Sequence, residues 1–369
     1  MAATNGESES PVPASGRIPS LDGWRAIAIL LVLCSHVVFT NSPPRALVYW
    51  AGWFFDGELG VRIFFVLSGF LISLLLLRET AQKGSISLKR FYLRRVFRIF
   101  PIYFAYLAVL LVLTLCGLYA DSSSSWLGCL TFTRNMLGRG RSGTVHFWSL
   151  AVEEQFYVLW PVLLCAFHLW KRRFLYVGIL MLPIILCPII RLYFVSAGLG
   201  ETLADRILGP RSILVYADSL ATGCLGAWMV WRSPPHWEWR RLHTVILMAA
   251  VSCIVGGHLL QVSGGGRTIN ALVPAVQAWS VLACIWLGTH KDFPGFGILN
   301  SGPMVTIGVL SYSLYVWHFL FVSYFMGARF ESWPTHDWKY WIPCTAAFSA
   351  LSYYFLEVPF MRLRRKLRS

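Results

Sequence analysis

The sequence predicts an all-α, polytopic membrane bundle of about ten helices, and three observations predict it. The 369 residues are 56% hydrophobic and only 13% charged, about half the ~25% charged content of soluble domains. Apolar runs of roughly 18–24 residues recur from one end to the other, the length that carries a helix across a hydrocarbon core of about 30 Å. The Lys and Arg residues behind the net charge of +15 are unevenly shared between alternate connecting segments, as the positive-inside rule requires.

The runs fall at about 24–41, 61–78, 100–119, 147–168, 174–196, 213–231, 243–261, 269–289, 304–326 and 339–361. Residues 125–137, SWLGCLTFTRNML, are apolar but too short to cross, and read as a re-entrant or interfacial segment. With the N-terminus in the cytoplasm, ten alternating spans place twenty basic residues in inner segments and eight in outer ones. An eleventh span at 125–137 would turn the clusters at 171–173 and 362–368 outward, so ten spans with both termini cytoplasmic is the expected topology. Charge placed this way points to membrane lipids rather than nucleic acid. Residues 1–18 are polar and Pro/Ser-rich, expected as a disordered cytoplasmic tail; 19–362 form the transmembrane domain and 363–369 a basic cytoplasmic tail. Most of the nine cysteines lie inside apolar runs without CxxC spacing, so neither a metal site nor a disulfide framework is expected.

The first span, DGWRAIAILLVLCSHVVF, carries Arg25 near one end and His36 near the other. Eleven residues at about 100° each make three turns plus about 20°, so both side chains leave one face, about 16 Å apart along the axis. The plain explanation is a snorkelling arginine and a histidine that links two helices. The alternative is a polar path from the cytoplasm into the membrane, ending at an imidazole suited to general-base work.

LDGWRAIAILLVLCSH (21–36) resembles the opening of acyltransferase family 3, multi-pass membrane enzymes that O-acylate sugars, chiefly in bacterial envelopes. The resemblance continues through GELGVRIFFVLSGFLIS (57–73), FYLRRVFRIFP (91–101), HFWSLAVEEQFYVLWP (146–161), YADSLATGCLGAW (216–228), IGVLSYSLYVWH (307–318) and FLEVPF (355–360), in family order over about residues 20–362. It departs at Arg62, where family members often carry an acidic residue.

The resemblance implies an O-acyltransferase of the bacterial inner (plasma) membrane. It would move an acyl group, acetyl first, from cytoplasmic acyl-coenzyme A to a hydroxyl of an extracytoplasmic or lipid-linked glycan. His36 would be the general base. Arg95 and Arg98, one helical turn apart, would join Arg25 in holding the donor's phosphates, which guanidinium groups grip in forked pairs. Glu153 would stand in the acceptor-facing cavity with Trp148 and Ser149 and orient the imidazole, as a third group orients the base of a triad. His146, Trp317 and His318 complete the expected acceptor site.

Each has a plainer alternative. The arginines could be positive-inside anchors, and Glu153 or Glu154 a buried link to Arg191. Trp317 and His318 could form an interfacial aromatic pair. Asp218 needs a cation inside its span, with Arg191 and Arg211 as candidates. Gly69 suits close helix approach, and Ser68 is disfavoured as an acyl carrier. A proton-coupled transporter or flippase would also suit ten spans with buried carboxylates; no inverted repeat or pair of broken spans accompanies them. The oligomeric state is left open, a homodimer among the options.

Overall fold

A computed structural model describes residues 20–138, 140–197, 209, 211–232, 240–290, 292–327, 330 and 332–366. The expected tail at 1–18 and residues 367–369 of the basic tail lie outside the described residues. The main helices are α1 (Leu21–His36), α2 (Arg45–Phe54), α3 (Gly57–Lys83), α4 (Leu88–Leu115), α5 (Ser123–Leu130), α6 (Phe147–Ala166), α7 (Arg173–Ala197), α8 (Ile213–Arg232), α9 (Arg240–Val262), α10 (Arg267–Gly288), α11 (Gly302–Trp317), α12 (Trp341–Ser352) and α13 (Val358–Lys366). No strand forms among the described residues; one isolated bridge joins Asn41 and Asp337.

Nine helical stretches among the described residues are long and apolar enough to cross a membrane. The tenth expected span appears as the run α12, a π-helical turn over Tyr353–Glu357, and α13. The molecule is an all-α polytopic bundle. Its outer surface is apolar, with Leu115, Leu182 and Met248 each more than half exposed, while Asp218, Arg191 and Arg62 are buried. A soluble protein distributes such residues the other way round.

Helix boundaries follow local chemistry. Asp56 caps α3 by accepting from the amide of Leu59 at 2.8 Å, and α3 stops at Gly84, whose φ of 72° favours glycine. Ser87 caps α4 and Ser122 caps α5. Because α4 begins at Leu88, the basic stretch before residue 100 is helical and continuous with the span.

The bundle is built around α3, which packs on α1 and α8. Gly69 seats against the backbone of Leu220 and Cys224, and Gly223 seats against Val66 and Phe70. Each lacks the Cβ that would strike the other helix, so α3 and α8 approach backbone to backbone. Trp160 donates to Ser73 Oγ at 2.8 Å, tying α6 to the same helix. Asp218 takes Arg191 as its partner, at 2.6 Å. Arg191 also donates to the carbonyls of Val215 and Ala271, so one cation joins α7, α8 and α10. Arg191 is thereby committed away from Glu153.

The stretch 125–137 forms α5 and a set of turns. Its far end meets α6 at Gln155, whose amide donates to Asn135 Oδ1 at 2.9 Å and to the carbonyl of Phe132 at 3.1 Å. Gln155 lies eight residues into α6, about 12 Å along its axis, the depth of a re-entrant segment. Arg134 stabilises the return, donating to Thr144 Oγ1 and to the carbonyls of Leu137 and Gly138.

Candidate functional site

Two of the cavities among the described residues gather the polar side chains singled out by the sequence. The first, of about 250 Å³, is lined by Arg25 from α1, Ser68 from α3, Arg95 and Arg98 from α4, Ser149, Glu153, Glu154 and Tyr157 from α6, and Ser311, Tyr312 and Tyr315 from α11. The second, of about 500 Å³, is lined by His36, Glu58, His146, Trp148, Arg211, His258, Tyr315, Phe319 and Phe325, among others. Val61 and Tyr315 line both cavities, and the two meet there.

The arginine cavity gathers three guanidinium groups that are far apart in sequence. Arg25 is held by Asp22 one turn earlier, at 2.9 Å. Arg95 lies over the Tyr157 ring, 4.8 Å from its centroid. Arg94 points elsewhere and pairs with Glu79 of α3 at 3.4 Å. The spacing of Arg95 and Arg98 selects the helix face that meets the cavity, and Arg94 lies about 100° from Arg95. Three cations facing a confined space suit a multiply charged anion such as a phosphorylated nucleotide.

Both Glu153 and Glu154 line this same cavity. Glu153 Oε1 accepts from Ser68 Oγ at 2.6 Å, and Ser68 Oγ accepts from the Tyr157 hydroxyl at 3.0 Å. The structure thus places Glu153 beside the guanidinium groups and separates it from His36. The expected carboxylate–imidazole contact is replaced by a backbone one: His36 Nδ1 lies 2.6 Å from the carbonyl of Val32. A carbonyl only accepts, so Nδ1 carries the proton and Nε2 keeps its lone pair. That is the tautomer a general base needs, set by the preceding turn of α1.

Around His36 the rings of His318, Phe319 and Phe39 stand 5.2, 5.1 and 5.9 Å away. His146 stacks on Phe319 at 4.2 Å. His318 is fully buried and donates through Nδ1 to the carbonyl of Tyr315 at 2.6 Å; it touches the His36 ring without lining either cavity. Trp317 is turned away from both. Its indole N–H donates to Ser352 Oγ at 2.9 Å and its ring packs on Phe348, so the expected acceptor contact gives way to a link between α11 and α12. Trp148 does line the histidine cavity, while Ser149, next in sequence, lines the arginine cavity and shares a 2.5 Å hydrogen bond with the Tyr315 hydroxyl. Among the described residues, no group of His, Cys, Asp and Glu is arranged to hold a metal ion.

Several residues in these walls were not assigned to a site by the sequence reading, among them Tyr157, Tyr315, Glu58 and Arg211, the last considered only as a partner for Asp218. Tyr157 lies one turn after Glu153 and so shares its face. Tyr315 donates to the carbonyl of His146 at 2.9 Å and forms part of the partition. Glu58 sits at the start of α3, gripped by Arg62 at 3.1 Å and Tyr216 at 3.3 Å, and Arg211 lies near the Trp148 ring. Only the position of Tyr157 had a signal in the sequence. Arg62 itself is buried, donating also to Gln277 of α10 at 2.8 Å, so this departure from the family pattern joins helices.

A family model described as an acyltransferase domain matches residues 18–357. The peptidoglycan O-acetyltransferase of Listeria monocytogenes (serovar 1/2a, strain EGD-e) is 25% identical over 93% of this chain and 55% of its own length. An O-acetyltransferase of Staphylococcus aureus (strain NCTC 8325) is 26% identical over 93% of this chain and 57% of its own. The chain therefore spans little more than half the length of these curated relatives. No solved structure matches it. With the family model covering nearly the whole bundle, both cavities included, the chain belongs to acyltransferase family 3.

Proposed function

We propose that this protein is a membrane O-acetyltransferase that carries an acetyl group from cytoplasmic acetyl-coenzyme A to a hydroxyl of an extracytoplasmic or lipid-linked carbohydrate. The observation that carries this reading is the pairing of the two cavities. One presents Arg25, Arg95 and Arg98, a cradle for the nucleotide phosphates of the donor. The other presents His36 with Nε2 free to accept a proton. The positive-inside distribution supports an arginine cavity that faces the cytoplasm, with both termini on that side. Residues 19–362 act as one catalytic domain. The similarity to a peptidoglycan O-acetyltransferase supports an envelope glycan as the acceptor class.

In this reaction the phosphates dock on the guanidinium groups and the pantetheine arm extends towards Tyr315 and Val61. The acceptor sugar enters the histidine cavity beside Trp148, whose ring suits the C–H face of a pyranose. His36 Nε2 takes the proton of the acceptor hydroxyl as its oxygen attacks the acetyl carbonyl. The carbon–sulfur bond breaks, the thiolate takes up a proton from solvent and leaves as a thiol, and His36 returns its proton to solvent.

Purified protein incubated with labelled acetyl-coenzyme A and glycan oligomers tests the proposal by thiol release and by label on the glycan. Acceptor-dependent release that is lost in His36→Ala supports it. Glycan movement across a reconstituted bilayer without thiol release would overturn it in favour of a transporter.

A further inference from the structure

Arg211 takes no part in the chemistry of acetyl transfer, yet it lines the histidine cavity and remains exposed. Among the described residues, no carboxylate stands within ion-pair distance of its guanidinium. The two carboxylates of that wall have partners of their own. Asp56 accepts from the amide of Leu59 and lies 3.5 Å from His258, and Glu58 is held by Arg62 and Tyr216. Arg211 itself stands near the Trp148 ring, its guanidinium carbon 6.0 Å from the centroid. That is the outer limit of a cation–π interaction, so the ring holds it weakly and leaves its donors to a ligand.

The place of Arg211 in the chain adds to this. It stands two residues before α8 begins at Ile213. The unpaired amides at a helix start already carry partial positive charge, so a basic residue there is unfavourable to the helix, and an anion bound in front of it offsets both. Trp148 is also the surface on which the acceptor sugar rests. A sugar carbon in contact with the indole lies about 4 Å from it. A charged substituent on that sugar, or on its neighbour, therefore comes within reach of Arg211.

We propose that Arg211 selects acceptors that carry an anionic group, a carboxylate or phosphate on or next to the sugar held at Trp148; this rests on the O-acetyltransferase reading above. The guanidinium donates to two oxygens of the anion in a forked pair, which holds the glycan in the cavity that also contains His36. Two sources offer this chemistry: a carboxylate on the glycan, or the phosphate that joins a glycan to a lipid carrier.

The test uses purified full-length protein, acetyl-coenzyme A and three acceptors. These are a neutral N-acetylglucosamine tetramer, the same tetramer with one sugar oxidised to its uronic acid, and the neutral tetramer joined to a polyprenyl phosphate. Thiol release gives kcat and KM for each. The wild type is expected to show a KM about tenfold lower for at least one anionic acceptor than for the neutral one, the low end for a charge-assisted hydrogen bond because Arg211 is exposed. Raising the ionic strength should shrink that preference. Arg211→Gln should bring the KM values together, and Arg211→Lys, which keeps the charge without the fork, should restore part of the gap. An Arg211-dependent preference confined to the uronic acid or to the prenyl-linked acceptor identifies the source of the anion. Equal wild-type KM values for all three acceptors, or a parallel rise of all three in Arg211→Gln, would overturn the selection and leave the acetyltransferase standing. A wild type that releases no thiol with any of the three would overturn the acetyltransferase reading, and the selection with it.

Discussion

Arg25 and His36 stand on one face of a single helix, yet they open into different cavities, which meet at the side chains of Val61 and Tyr315. The shared stripe on α1 is therefore divided by groups from α3 and α11. Any donor held at Arg25 must come to that partition to react.

Tyr315 is accordingly the residue whose loss should uncouple the reaction. Tyr315→Ala removes part of the wall, admits water from the histidine cavity, and is expected to raise acceptor-independent thiol release several-fold. Tyr315→Phe keeps the ring while losing the hydrogen bonds to Ser149 and to the carbonyl of His146, and should stay coupled. Equal basal release from all three proteins would show that the side chain is no barrier.

The imidazole should act on the rate. Removing a positioned general base costs about 10²–10⁴-fold in turnover, so His36→Ala should lose that much kcat while the KM for donor holds within a factor of about two. Initial rates at varied acetyl-coenzyme A separate the two constants. A selective rise in donor KM would place His36 in donor binding.

The arginines should divide by partner. Arg95 and Arg98 face the cavity, and a charge-assisted hydrogen bond to phosphate is worth about 1.5–3 kcal/mol, or roughly 10- to 150-fold in affinity. Arg95→Ala and Arg98→Ala should each weaken donor binding by that order, with Lys restoring part of it. Arg94→Ala breaks the pair with Glu79 and should lower thermal stability with little effect on donor KM. Titration calorimetry with coenzyme A and a thermal melt of the same samples check both halves.

Gly69 tests the packing. A Cβ there meets the backbone of Leu220, which cannot rotate aside as a side chain would. Gly69→Val should cost about 1–3 kcal/mol or more, and Gly223→Val should behave alike because it strikes α3 from the other side. Monodispersity after detergent extraction reports the effect.

Acid should loosen the segment that closes over the end of α1. The carbonyl of His336 accepts from the amide of Asn41 at 2.9 Å, and burial pushes the His336 imidazole down to about 4. That lies below the ~6.5 of an exposed histidine, so the unfolded chain binds the extra proton first. The stability contributed by neutral His336 is full above pH 6.5 and is lost as pH falls towards 4. Thermal unfolding at pH 7.5 and pH 5 should show a larger drop for the wild type than for His336→Gln. Parallel drops would exclude this histidine as the cause.

Much of the architecture was legible in order along the chain. Hydrophobic length marked the spans, and the short run 125–137 was marked as one that does not cross. The Arg95–Arg98 spacing marked a helix face, and Gly69 marked a close approach. Other readings failed where the answer lay on a different helix. Nothing near Trp317 shows that Ser352 takes its indole N–H, and nothing near Glu153 shows that Ser68, 85 residues earlier, takes its carboxylate.

By itself, then, the sequence determined the class of molecule, the order of its long apolar helices, and which rare polar side chains those helices carry. Length, hydropathy and helical period are properties of consecutive residues, and they survive without knowledge of neighbours. Only the tertiary structure decided which polar groups meet: Glu153 with Ser68 instead of His36, Asp218 with Arg191, and Tyr315 at the boundary of two cavities. Those pairings depend on how helices rotate and seat against one another, and that is settled by side-chain volume and close backbone contact across the bundle.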